Sequence, residues 1–211
     1  MKALLSVIFL LTSQLAFTQT LTVQGGVSRS SLNWTLFNGS KVYKEPITTA
    51  SFGAGLEYAP HKYYSLSSSI GYVRKGGKQA LVFTDPYGMP LQGEKATAAF
   101  DYITINTTLD IKYPASKKIY PFISMGPRLD FHFHNTAIVE DLNDHDEINK
   151  LVPGLITGAG VKYDMRKIQL GIRGTYLVNF IPIAEYNNAN GTKAEVKDKT
   201  FLINLTVGFR L

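Results

Sequence analysis

Residues 200–211 read TFLINLTVGFRL. Phe201, Ile203, Leu205, Val207, Phe209 and Leu211 fall on one parity, and Asn204, Thr206, Gly208 and Arg210 on the other. Successive side chains of a strand point to opposite faces, so this stretch is a strand with one wholly apolar face and one polar face. Six apolar positions in a row at a two-residue period describe a surface meant for an apolar medium along its whole length.

The same alternation recurs upstream. In the segment 98–113, Ile103, Ile105, Thr107, Leu109, Ile111 and Tyr113 oppose Tyr102, Thr104, Asn106, Thr108, Asp110 and Lys112. In 167–181, Ile168, Leu170, Ile172, Tyr176, Val178 and Phe180 oppose Gln169, Gly171, Arg173, Thr175 and Asn179. With 21–34, 49–59, 63–75, 118–133 and 151–163, the chain carries eight such segments. Most run about 12 to 16 residues, where soluble strands average roughly 5 or 6. A tilted strand needs about 9 to 11 residues to cross the hydrocarbon of a bilayer. The connections are sorted as well. Long ones, at 35–48, 76–97, 134–150 and 182–199, alternate with three tight turns. An even number of strands with alternating long and short connections predicts an all-β fold, an eight-stranded antiparallel transmembrane up-and-down barrel whose closure leaves no unpaired edge in lipid. A secreted lipocalin-like barrel is the alternative that alternation by itself permits.

The chain opens with Met1-Lys2-Ala3, an apolar run over residues 4–11 and a polar exit. The run is too short for a membrane-spanning helix and has the form of a signal peptide. This divides the chain into a leader, 1–19, and an outer-membrane barrel domain, 20–211. There is no cysteine, hence no disulfide. Export places both ends of the barrel and the tight turns in the periplasm and the long loops outside. Tyr58, Tyr63, Tyr64, Tyr113 and Tyr163 then fit an inner aromatic girdle, and Trp34, Phe37, Phe131, Phe133 and Phe180 lie near the outer end; strand propensity of aromatics is the alternative for part of both sets. The formal net charge is +6, but bases and aromatics are not interleaved as in nucleic-acid binders. The expected surroundings are outer-membrane lipids, with an extracellular or envelope protein as a further partner and no nucleic acid.

Eight strands enclose an interior that side chains just fill. Parity turns Glu57, Asp110, Asp130 and Asp164 inward, with Lys112, Arg128, Lys162, Arg173 and Arg210; Asp164 and Arg210 could instead sit at the periplasmic rim. Charges in a narrow, poorly hydrated core must pair. The expectation is a lumen charge network of Glu57, Asp110, Lys112, Arg128, Asp130, Lys162 and Arg173, with Asp110, Arg128 and Lys162 linking neighbouring strands. That makes a plug rather than a channel.

Asp130, His132 and His134 share one face near the outer end of their strand, the raw material of a hydrolase triad or a metal site. His-x-His on a strand is more often a hydrogen-bonded rim feature, and no third partner follows from the sequence. Glu140, Asp141, Asp144, Asp146 and Glu147 could attract a divalent cation, but their spacing matches no calcium loop, and a solvated loop is the expectation. Residues 79–95 form the most apolar connection, with Leu81, Val82, Phe83, Tyr87, Met89 and Leu91; Leu81 to Thr84 could extend a hairpin above the membrane, and the connection is expected to cap the barrel mouth or bind a partner. Residues 185–198 read as a wet loop turning at Asn190-Gly191. Nothing in the sequence calls for a cofactor or a catalytic residue.

Taken in order, Gly25-Gly26-Val27, Phe100-Asp101-Tyr102-Ile103, YPFISMGP at 120–127, LITGAGVK at 155–162 and LTVGFRL at 205–211 resemble the outer-membrane β-barrel domain family common in Bacteroidetes, often labelled PorT-like. The resemblance covers essentially the whole mature chain. It implies an outer-membrane barrel and, for some members, a role in a secretion system, although no residue set here carries that role. The terminal strand also resembles the signal read by the barrel-assembly machinery, with Phe209 and Leu211 as its apolar positions; many such signals end in an aromatic residue. Assembly partners are then that machinery and periplasmic chaperones. The function expected is a non-enzymatic outer-membrane protein with structural, adhesive or partner-binding loops. The alternatives are a small porin or hydrophobic-solute conduit and, less favoured, a membrane lipid hydrolase or acyltransferase.

Overall fold

A computed structural model describes residues 19–35, 41–84, 90–136, 148–187 and 193–211. The leader, Phe37, the acidic stretch 140–147 and Asn190-Gly191 lie outside these residues. Ten strands follow in chain order: β1 (Thr20–Thr35), β2 (Lys41–Val42), β3 (Glu45–Tyr58), β4 (Tyr64–Thr84), β5 (Pro90–Lys112), β6 (Ile119–Thr136), β7 (Leu151–Met165), β8 (Ile168–Asn179), β9 (Ala184–Asn187) and β10 (Lys193–Arg210). Eight of them, β1, β3 to β8 and β10, pair antiparallel with their sequence neighbours. β1 then pairs β10 from Thr20↔Arg210 to Thr35↔Glu195, which closes the barrel. The short β2 and β9 extend the ladder at one end, against the far ends of β1 and β10.

The alternation sets which face meets what. Phe201, Ile203, Leu205, Val207 and Phe209 are exposed on the outer wall, while Leu202, Asn204 and Gly208 are buried in the lumen. Ile105, Leu109 and Ile111 on β5, and Leu170, Ile172 and Tyr176 on β8, continue the exposed apolar belt. Among the described residues no helix is long and apolar enough to cross a membrane; the crossing is made by strands. Leu205 is 65% exposed in the middle of this belt. Leu205→Arg is therefore expected to lower stability in lipid by about 2–4 kcal/mol. Urea titration in vesicles checks this, with Lys199→Arg, above the belt, as a neutral control.

The strands run further than the sequence reading placed them. Residues 76–84 and 90–97, part of the long connection in the sequence reading, continue the β4–β5 ladder as far as Thr84↔Pro90, and this ladder includes the hairpin extension expected at Leu81 to Thr84. Residues 193–198, read as part of a wet loop, begin β10. Polar and glycine-rich composition marks loops only when the backbone has water as its partner. Here the neighbouring strand supplies the hydrogen bonds beyond the apolar belt. The side chains of 80–95 lie outside the described residues, so the expected capping by Leu81 to Leu91 is not placed. The described closure comes from elsewhere. Ile183 and Ala184 are fully buried and join Ile148, Leu32, Tyr43, Val152 and Val196 in one cluster at this end.

Trp34, grouped with the outer-end aromatics in the sequence reading, is buried and stacks on Tyr43 with ring centroids 5.3 Å apart. It lies on the inward parity of β1 and belongs to the buried cluster at the hairpin end of the lumen. Tyr43 occupies a left-handed backbone conformation (φ 55°), and its N–H donates to Gln79 Oε1 at 3.2 Å. Phe131, Phe133 and Phe180 remain outward and exposed. At the opposite end Tyr63, Tyr64, Tyr113 and Tyr163 are exposed beside the tight turns.

Candidate functional site

The lumen is crossed by two layers of ion pairs. The first lies near the tight-turn end and joins β3, β5, β7 and β8. Lys112 donates to Glu57 Oε1 at 2.7 Å, and Lys162 donates to Glu57 Oε2 and Asp110 Oδ2, both at 2.8 Å. Arg173 donates to the same Asp110 oxygen at 2.8 Å, and the Thr108 hydroxyl to Asp110 Oδ1 at 3.1 Å. Phe122 lies under both cations, its ring 4.8 Å from Lys162 Nζ and 4.9 Å from the Arg173 guanidinium carbon. That ring fits because residue 160 is glycine. A Cβ there would come within 2.7 Å of Phe122 Cζ.

The second layer lies deeper, toward the long-hairpin end, and joins β4, β6, β8 and β10. Lys75 Nζ is 2.8 Å from Asp130 Oδ2 and 3.4 Å from Asp198 Oδ2, and all three side chains are fully buried. Arg128 pairs with Asp130 and donates to Asn179 Oδ1 at 2.5 Å. Asn179 donates to Asp198, Thr200 donates to the same carboxylate at 2.6 Å, and the Ser30 and Thr200 hydroxyls are 2.9 Å apart. Lys75 sits over the Tyr102 ring at 5.0 Å. Gly154 leaves the space for Arg128: a Cβ there would lie 2.7 Å from its Nη2.

The seven residues read from parity as a lumen network thus divide between two layers. Glu57, Asp110, Lys112, Lys162 and Arg173 occupy the first, and Arg128 and Asp130 the second. Arg128 does not reach Asp110 or Lys162. Its partners are Asp130 and Asn179, because the register of β6 sets it a level higher. Asp164 and Arg210 pair at 2.5 Å, partly exposed, at the rim. Two members were not anticipated, Lys75 and Asp198. Both were legible by extending the parity of their strands, since Lys75 continues Val73 and Asp198 continues Thr200 and Leu202. Asp198 lies in the stretch 182–199, whose composition suggests a loop, whereas Lys75 is the last residue of the strand segment 63–75.

Between the layers is a cavity of about 40 Å³ lined by Ser51, Ser69, Asn106, Thr175 and Asn204 among others. Below the first layer a vestibule of about 420 Å³ opens at the turn end, lined by Thr20, Glu57, Lys112, Tyr120, Asp164 and Arg210 among others. Beyond the second layer the lumen is apolar, filled by Leu32, Trp34, Tyr43, Ile183, Ala184 and Val196, while Leu177 and Leu202 line the cavity between the layers. The plug is therefore polar over part of its depth and hydrocarbon at its far end.

His132 and Asp130 are inward, as their parity required. Asp130 is occupied by Lys75 and Arg128, and the His132 ring packs 5.4 Å from Tyr102 and 6.1 Å from Phe100. His134 is exposed. Among the described residues no group of three or more His, Asp or Glu could hold a metal ion.

A closed eight-stranded barrel with an apolar outer belt and an ion-paired interior defines an outer-membrane β-barrel protein. The chain belongs to the outer membrane protein beta-barrel domain family, which it matches over residues 13–185. Its fold is similar to that of the outer membrane protein OprG from Pseudomonas aeruginosa, at 11% identity over 91% of this chain and 95% of that one, with a TM-score of 0.55. Neisserial surface protein A is similar at 11% identity over 90% and 97% of the two chains, with a TM-score of 0.51. Ail of Yersinia pestis follows at 12% identity over 92% and 99%, with a TM-score of 0.45. No curated protein matches in sequence.

Proposed function

We propose that this outer-membrane barrel is non-enzymatic and works through its long hairpins, which face the cell exterior and bind an extracellular or envelope protein, while both termini face the periplasm. The observation that supports this reading is the double closure of the lumen. Among the described residues, layers joining β3, β5, β7 and β8, and β4, β6, β8 and β10, set buried ion pairs across the lumen at two levels. What the barrel can offer is its rim, and the β4–β5 ladder is its longest element. In the same reading residues 1–19 are a leader removed on export. Phe209 and Leu211 present the terminal strand to the assembly machinery. The PorT-like resemblance makes a secretion-system component one form the partner could take.

The chain has no cysteine, so single-cysteine variants report without background. Thr136→Cys lies at the hairpin end and Ser116→Cys in a tight turn. A membrane-impermeant maleimide applied to intact cells is expected to label the first and spare the second; the reverse pattern inverts the orientation. Removing residues 80–94 is expected to abolish partner binding while the boiled and unboiled protein still differ in gel mobility. Binding that survives the deletion rejects the hairpin as the contact. Steady single-channel conductance from homogeneous protein would favour the porin alternative.

A further inference from the structure

Beyond the apolar belt, at the hairpin end, the outer wall changes character unevenly around the barrel. On the side of β4 and β5, the outward cation is neutralised in place. Arg74 Nε is 3.5 Å from Asp101, and the Tyr72 hydroxyl donates to the same carboxylate oxygen at 2.7 Å. On the side of β8, β10, β1 and the entry to β3, Lys197 pairs with Glu195 on the outer face of β10, but a group of cations below that pair is not neutralised in this way. Arg29, Lys44 and Lys199 are exposed and line one depression of about 260 Å³, together with Tyr176 and Phe201. The register makes this a compact patch. Phe201 pairs Tyr176 on one side and Arg29 on the other, and Lys199 lies one outward step beyond Phe201. Among the described residues, none of these three cations has a carboxylate within ion-pair distance.

Three cations without counter-charge, directly above aromatic and aliphatic side chains that face lipid, stand at the level of a leaflet's headgroups. There a basic cluster attracts anionic lipid, and arginine pairs bidentately with phosphate while lysine supplies a point charge. Aromatic rings at this depth tolerate a wet and a greasy side at once. Lys44 and Pro46 stand at the head of β3; further along the same strand, past the exposed Thr48 and Ala50, is a separate lipid-facing groove of about 410 Å³ bordered by Val23, Phe52, Ala54 and Ile70. We infer that Arg29, Lys44 and Lys199 form a binding site for the phosphorylated headgroup of an outer-leaflet glycolipid, with an acyl chain laid along β3. The assignment to the outer leaflet rests on the orientation proposed above.

The test uses the full-length barrel in detergent, with native mass spectrometry reading retention of bis-phosphorylated lipid A against its dephosphorylated form. Gel mobility confirms folding of each variant. Wild-type protein is expected to retain the phosphorylated lipid selectively. The variant R29Q/K44Q/K199Q is expected to bind on the order of tenfold to a hundredfold more weakly. The variant K117Q/K118Q/K167Q, which removes three cations at the opposite rim, is expected to match wild type. Undiminished retention by the first variant, or equal retention of dephosphorylated lipid by wild type, overturns the proposal. Detergent binding is blind to orientation, so an inverted maleimide pattern with intact, phosphate-dependent binding would reject the leaflet assignment separately from the site.

Discussion

Lys75→Met is expected to lower the stability of the barrel by about 3–5 kcal/mol, the cost of leaving buried charge without its partner. In the folded protein the Lys75 ammonium lies between Asp130 and Asp198, with all three side chains at zero exposure. Asp130 keeps Arg128, and Asp198 keeps Asn179 and Thr200. The layer nonetheless changes from two cations and two anions to one cation and two anions. Water cannot compensate, because apolar side chains close the lumen above and the first layer closes it below. Marginal folding stability, about 5–15 kcal/mol for a domain, makes a loss of this size visible as a lowered urea midpoint in vesicles and a weaker heat-modifiable band. The double variant Lys75→Met with Asp198→Asn is expected to recover a large part of the loss, since it restores balance. A coupling of roughly 1 kcal/mol or more between the two sites is the expected outcome of the cycle. Additive effects would show that the 3.4 Å contact contributes nothing.

Asp110→Ala is expected to cost a similar amount, about 3–5 kcal/mol, in the first layer. Asp110 receives Lys162, Arg173 and Thr108, and its removal leaves the layer with Glu57, which pairs Lys112 and Lys162, as its one carboxylate against three cations. Lys112 lies nearest the vestibule and keeps Glu57, but Arg173 loses its carboxylate and retains only the Phe122 ring. Replacing Arg173 by Met in the same chain removes the orphaned charge and is expected to bring the urea midpoint back most of the way. A midpoint for Asp110→Ala that is unchanged from wild type would mean that water from the vestibule reaches the layer and solvates Arg173. That result would also weaken the case for a closed lumen. The two layers lie at different depths, so damage to one should leave the other's cycle intact.

Parity carried the sequence reading of the site a long way. It turned Glu57, Asp110, Lys112, Arg128, Asp130, Lys162 and Arg173 inward because a strand's period of two does not depend on its neighbours. It failed where the strand itself was missed. Glu195, Lys197, Asp198 and Lys199 read by composition as a solvated loop. In fact Lys197 and Lys199 face outward while Asp198 faces the lumen. Trp34 reads as an outer-end aromatic from its position at the end of the first segment. Yet its parity on β1 matches that of the inward Ser28, Ser30 and Leu32. In both cases period, not composition or position along the segment, decides the face.

The sequence alone determined an antiparallel barrel of eight spanning strands. An apolar solvent demands an unbroken apolar face, and that demand is written locally, residue by residue. It also determined which charges face inward, for the same local reason. Which charges meet was decided only by the tertiary structure. Glu57 and Lys162 are 105 residues apart, and Lys75 and Asp198 are 123 apart. Their levels in the lumen follow from strand tilt and from the register in which β1 closes on β10, a property of the whole sheet. The division of one expected network into two layers, and the apolar filling beyond them, come from that closure.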